Sequence, residues 1–115
     1  MEKYIKMRED GSIQFLFDIR KVLEDGIGQY VLLGIPVGQE YNDYNQNLFY
    51  IMDGKIRWQV EDLNAIFNYD KRPNLPFEAI RLSEDGDIIG TNFFGLRYLV
   101  SHVDGKIIRQ LSSVK

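Results

Sequence analysis

One histidine, His102, and a complete lack of cysteine limit the chemistry open to this chain. Thiol nucleophiles, thiolate metal sites and disulfides are excluded outright. Nucleophilic catalysis would have to run through His102, which sits in the run Tyr98-Leu-Val-Ser-His-Val103. Strand alternation places Tyr98, Val100 and His102 on one face and Ser101 on the other, out of reach of the imidazole. A lone histidine without a positioned partner is expected as half-buried structure rather than as a general base. Adjacent acids occur at 9–10, 24–25, 61–62 and 84–85, and all but Glu61-Asp62 run straight into a glycine and so belong to turns. Glu61-Asp62 reads as a strand end and helix start, because sequence neighbours seldom face each other across a cleft as glycosidase carboxylates do. Glu40, Asn42, Asp43 and Asn45 offer oxygen ligands, but they lack the central glycine and late glutamate of an EF-hand loop. Gly86, Gly90 and Gly95 do not make a phosphate-binding fingerprint. No catalytic residue, metal site or cofactor is expected, and the chain reads as a non-enzyme.

Surface recognition remains. Tyr41, Asp43 and Tyr44 stand in the polar stretch Gly38 to Asn47, where rigid aromatic rings beside adaptable amides have the composition of a binding loop. Glu61 and Asp62 could pair with basic groups of a partner. Tyr69, with Lys71 and Arg72, makes a second candidate loop over Asn68 to Pro76. Phe93 and Phe94 are adjacent, so on a strand they cannot both point inward.

The elements that must hold these residues read as strands. Five of the ten glycines follow aspartate, at 11, 26, 54, 86 and 105. Asp-Gly supplies the positive φ that short hairpin turns require. Between these turns lie apolar and aromatic runs, notably Tyr30 to Val37, Leu48 to Val60, Phe77 to Leu82, Leu96 to Val103 and Lys106 to Leu111. Residues 19–24 allow a short helix, but a strand returning over Asp25-Gly-Ile-Gly28 fits better, since a β-rich run follows at once. Asp62 to Phe67 fits one helical turn, and Pro73 and Pro76 keep the next stretch irregular. The expectation is a single all-β domain over residues 1–115. Its eight to ten short strands form antiparallel hairpins, arranged as a β-sandwich or a partial-propeller-like meander.

Charge and composition set further bounds. The formal net charge is −3, with both signs spread along the chain. No basic stripe points to nucleic acid. The most apolar stretch is far shorter than the ~20 residues of a membrane helix, and no leader-like segment opens the chain. A cytoplasmic protein is expected, with no membrane or nucleic-acid partner.

Leu48-Phe-Tyr-Ile-Met-Asp-Gly-Lys-Ile-Arg-Trp-Gln-Val60 holds the sole tryptophan and recurs more weakly at Leu99 to Leu111, identical at six of thirteen positions. Gly54, Lys55 and Trp58 resemble the Gly-Lys-x-x-Trp motif of quinoprotein-type β-propeller blades. In that family the indole closes one strand pair and docks on the next blade. The second copy has Arg109 in place of tryptophan. A whole propeller needs at least four blades of ~40 residues, more than this chain holds. Over residues 30–108, a Val-Leu-Leu-Gly-Ile-Pro strand is followed by a polar loop, an aromatic strand and Asp-Gly-Lys-Ile-x-Trp-Gln-Val-Glu-Asp. Pro-Phe and a last strand pair around Asp-Gly-Lys-Ile complete the pattern. It resembles a set of small uncharacterised bacterial proteins, some of them immunity-type proteins of toxin–immunity systems. That resemblance implies a non-catalytic, protein-binding role in which a toxin domain is neutralised by steric occlusion.

The rival readings are a small-molecule-binding β domain, with an aromatic pocket of Trp58, Phe93, Phe94 and Tyr98, and a hydrolase using His102 with an acid. Self-association into a homo-oligomer stays open.

Overall fold

The computed structural model describes residues 1–36, 41–67 and 74–111. All regular structure in these residues is β, apart from 3-10 turns at Tyr41–Tyr44 and Leu63–Ala65. The strands are β1 (Ile5–Met7), β2 (Ile13–Phe15), β3 (Ile19–Glu24), β4 (Gln29–Leu33), β5 (Leu48–Met52), β6 (Lys55–Gln59), β7 (Phe77–Leu82), β8 (Ile88–Asn92), β9 (Arg97–Val100) and β10 (Ile107–Leu111). Residues 19–24 are thus strand, bulged at Arg20 where the register with β4 slips.

Two four-stranded antiparallel meanders, β3-β4-β5-β6 and β7-β8-β9-β10, stand beside the hairpin β1-β2. The result is sandwich-like, and neither a barrel nor a propeller is closed. The repeat seen in the sequence has a structural counterpart, since its two copies are the last hairpins of the two meanders. Their turns differ, however. Asp53 (φ 54) and Gly54 (φ 74) form a tight two-residue turn of type I′. Residues 101–106 make a wider loop, closed by Ser101 N donating to Lys106 O at 2.8 Å.

The centre of the β3–β6 sheet, at β4 and the start of β5, is buried on both faces, which explains the uninterrupted apolar run Tyr30 to Leu33. Tyr30, Tyr50 and Trp58 pair across β4, β5 and β6. With Leu32 and Leu48 they meet Phe77, Ile80, Ile88, Tyr98 and Val100 of the other sheet. Successive side chains alternate, so Val31, Leu33 and Phe49 face the opposite way. They are covered by Tyr4, Ile5, Phe15 and Phe17 of the hairpin region. Gly90 clears space for the Phe77 ring, whose carbons would lie 2.6 to 2.7 Å from a Cβ at that position.

Buried Asn47 ties the sheets together. Its Nδ2 donates to Leu33 O (2.7 Å) and Phe77 O (2.9 Å), and its Oδ1 accepts from Phe77 N (3.0 Å).

Candidate functional site

The residues expected to contact a partner fall into three groups. Asp43 is exposed, and its carbonyl accepts from the Lys3 amino group. Lys3 Nζ also lies 4.6 Å from the centroid of the Tyr44 ring. Tyr44 is half-buried, set edge-on to Tyr4 at 5.7 Å and to Phe17 at 5.5 Å. The Tyr41 backbone is part of the first 3-10 turn, while its side chain and all of Tyr69 lie outside the described residues.

Glu61 and Asp62 are engaged within the fold. Glu61 Oε1 accepts from Ile107 N at 2.9 Å, and Glu61 N donates to Gly105 O at 3.0 Å. Asp62 Oδ1 caps the second 3-10 turn by accepting from Asn64 N (2.9 Å), and it also accepts from Asn45 Nδ2 (3.0 Å). Both carboxylates therefore connect the end of β6 to its neighbours.

His102 lies in the loop after β9, not on the strand. The loop leaves the ladder there because Trp58 Nε1 donates to His102 O at 3.0 Å and Asp87 holds the other side. Asp87 Oδ1 is 2.7 Å from His102 Nδ1 and accepts from His102 N at 3.0 Å. Burial pushes the Asp87 carboxyl up, but the hydrogen bonds from His102 outweigh it and leave the group below the usual aspartate value. A carboxylate on Nδ1 is the arrangement that orients an imidazole for base chemistry. The nearby hydroxyls, however, are bound to the backbone. Ser101 Oγ accepts from Val103 N (3.2 Å) and Ser83 Oγ from Asp87 N (3.0 Å). Asp87 went unrecognised in the sequence as the partner of His102, because the two are joined only by the register of β8 and β9.

A second acid, Asp25, gathers four donors. Ile27 N (2.9 Å) and Gly28 N (2.8 Å) reach Oδ1, and the hydroxyls of Tyr50 (2.9 Å) and Tyr30 (3.2 Å) reach Oδ2. The Gly28 hydrogen bond leads in holding its pKa down to about 2, against the effect of burial. This carboxylate is saturated by its own fold. Among the described residues no cluster of three or more histidine or acidic groups could hold a metal ion, and no helix is long and apolar enough to cross a membrane.

The four residues of the expected aromatic pocket are divided. Trp58 and Tyr98 belong to the core between the sheets, whereas Phe93 and Phe94 stand on the β8–β9 turn, 74% and 45% exposed. That turn is closed by hydrogen bonds to Asn92. Asn92 Oδ1 accepts from Phe94 N (3.0 Å) and Leu96 N (3.1 Å), and Gly95 N returns to Asn92 O at 3.0 Å with Gly95 at φ 81. The two rings sit 6.1 Å apart, edge to face. Beside Phe93 lies a small hollow lined by Ile35, Leu75, Pro76 and Glu78.

No family model, curated protein or solved structure matches the chain.

Proposed function

We propose that this protein is a non-catalytic protein-binding module that anchors its partner on Phe93 and Phe94. The observation that carries this is Phe93, a large aromatic side chain held in solvent by a turn capped through three hydrogen bonds to Asn92. A pre-ordered aromatic ring buries much apolar area on docking at little entropic cost. Ile35, Leu75 and Pro76, themselves buried, back the ring with a small hollow and not with further contact surface. Asp43 and Tyr44 supply a separate, polar contact on the 3-10 turn. Binding of this kind acts by steric occlusion. Neutralisation of a toxin domain, as in immunity proteins, is the form that the resemblance over residues 30–108 favours.

The test is affinity capture from the native host with wild-type protein and with the Phe93→Ala/Phe94→Ala variant, followed by calorimetry on the purified pair. A specific partner should bind the variant more weakly by ~2 kcal/mol or more, as for hot-spot aromatics. A partner that binds both proteins equally would remove the phenylalanine anchor.

A further inference from the structure

A groove of about 440 Å³ opens between the β1–β2 hairpin and β6, an edge strand of its sheet. Ile5, Met7, Ile13 and Ile56 make its apolar lining, and among the described residues Lys55 and Arg57 bring the only charged side chains to it. The hairpin buries Tyr4 against Phe49 but leaves this side uncovered, with Met7 58% exposed. Neither Lys55 nor Arg57 has an ion pair within the described residues. Among the described residues no acid lines the groove, although the chain carries a net charge of −3. Arg57 is the extra residue of a bulge, since Tyr50 pairs with Trp58 while Ile51 pairs with Ile56. A bulge re-aims its side chain and interrupts the ladder that an added peptide strand would need. The site therefore suits a molecule that is held through its side-chain surface: apolar along its length and negative at one end.

We propose that this groove binds a soluble single-chain anionic amphiphile, a medium-chain carboxylate. Its tail lies along Ile5, Met7, Ile13 and Ile56, and its head group pairs with Lys55 and Arg57. Met7 gives the wall an adaptable surface for a flexible chain. This site is separate from the Phe93 anchor, and either can fail without the other.

The experiment is isothermal titration calorimetry of the full chain with sodium dodecanoate below its micellar concentration. Sodium octanoate, sodium decanoate and dodecyltrimethylammonium serve as comparisons, and Trp58 emission is followed in parallel. Saturable one-to-one binding is expected, tightening with each added methylene by up to ~4-fold, the limit for complete burial. Lys55→Glu with Arg57→Glu should weaken dodecanoate by ~5-fold or more and favour the ammonium amphiphile, as reversal of two exposed charges requires. Met7→Asp should weaken dodecanoate too, while its urea midpoint and that of the charge variant stay at the wild-type value. Phe93→Ala should bind dodecanoate as wild type does. The proposal is overturned by an absence of binding, by equal affinity for both head groups, or by indifference to chain length. Binding to phosphatidylglycerol vesicles without binding to monomeric dodecanoate would overturn it as well.

Discussion

The indole of Trp58 lies directly against Gly105, so close that a Cβ there would fall 2.8 Å from indole Cδ2. Gly105 also holds φ at +76°. Its counterpart in the other Asp-Gly-Lys-Ile segment, Gly54, has φ +74° and nothing within 4 Å of an added Cβ. The two glycines thus share a backbone requirement and differ in crowding, since a Cβ at Gly105 would also lie 3.1 Å from the Gln59 carbonyl oxygen. Gly54→Ala should cost about 1 kcal/mol, the left-handed penalty alone. Gly105→Ala should cost about 3 kcal/mol, because the indole must also move. Urea unfolding of both variants checks this, and equal losses would show that the crowding at Gly105 adds nothing to the cost.

Asn47 is the polar join between the sheets. Asn47→Ala removes three hydrogen bonds and leaves the Phe77 amide and carbonyl without them in the buried interior. A loss of about 3 kcal/mol is expected, from unsatisfied buried groups plus a small cavity. Asp43→Ala, four residues earlier and exposed, should stay within about 0.5 kcal/mol. Thermal or urea unfolding of the pair separates the structural from the solvated half of this polar stretch.

The contrast between Asn47 and Asp43 also shows what the sequence could and could not disclose. Hairpins were legible because Asp-Gly turns are local: Asp25 to Gly28 joins β3 to β4, and Asp53-Gly54 joins β5 to β6. β7 was likewise legible at Phe77 to Leu82. The polar stretch around Asn45 and Asn47 read as a recognition loop because amides look alike whether they are solvated or buried and satisfied. Leu33 and Phe77, fourteen and thirty residues away, decide the matter for Asn47. The end of β9 was missed for a similar reason. Alternation carries it to Val103, but long-range bonds from Trp58 and to Asp87 take His102 out of the ladder. The exposure of Phe93 was half legible, since two adjacent phenylalanines cannot share one face. The groove beside β6 was not legible, because it depends on where the hairpin stops.

Asp25 makes stability depend on acid. Its folded pKa is about 2, below the ordinary 3.8. A depressed carboxyl stabilises the fold above its unfolded pKa, and that contribution disappears as pH falls through the folded value. The relevant window is therefore about pH 4 down to about pH 2. Because Asp25 is exposed, solvent screening reduces the effect to about 1 kcal/mol. Asp25→Asn should be less stable at pH 7 and should flatten the stability curve across that window. Chemical denaturation at pH 7, 4 and 2.5 measures it, and parallel curves for the two proteins would refute the assignment.

Tyrosines impose the opposite dependence at alkaline pH. Burial pushes the Tyr4 hydroxyl up to about 12, and it raises Tyr30 and Tyr50 as well, with Asp25 adding to both. A phenol whose folded pKa is raised stabilises the fold fully below its unfolded value near ~10, and the contribution is lost as pH climbs towards the folded value. In a spectrophotometric titration Tyr4, Tyr30 and Tyr50 should ionise above the ordinary tyrosine value, together with alkaline unfolding. Tyr4→Phe isolates one of them. It removes the acceptor for Gln46 N, at 3.1 Å, and keeps the ring. At pH 7 the variant should be less stable by about 1 kcal/mol, the net worth of one hydrogen bond. That deficit should shrink steadily above about pH 10, because only the wild type must hold a proton on residue 4 to stay folded. A deficit that is constant from pH 7 to pH 11 would mean that the Tyr4 hydroxyl ionises as readily in the folded protein as in the unfolded chain.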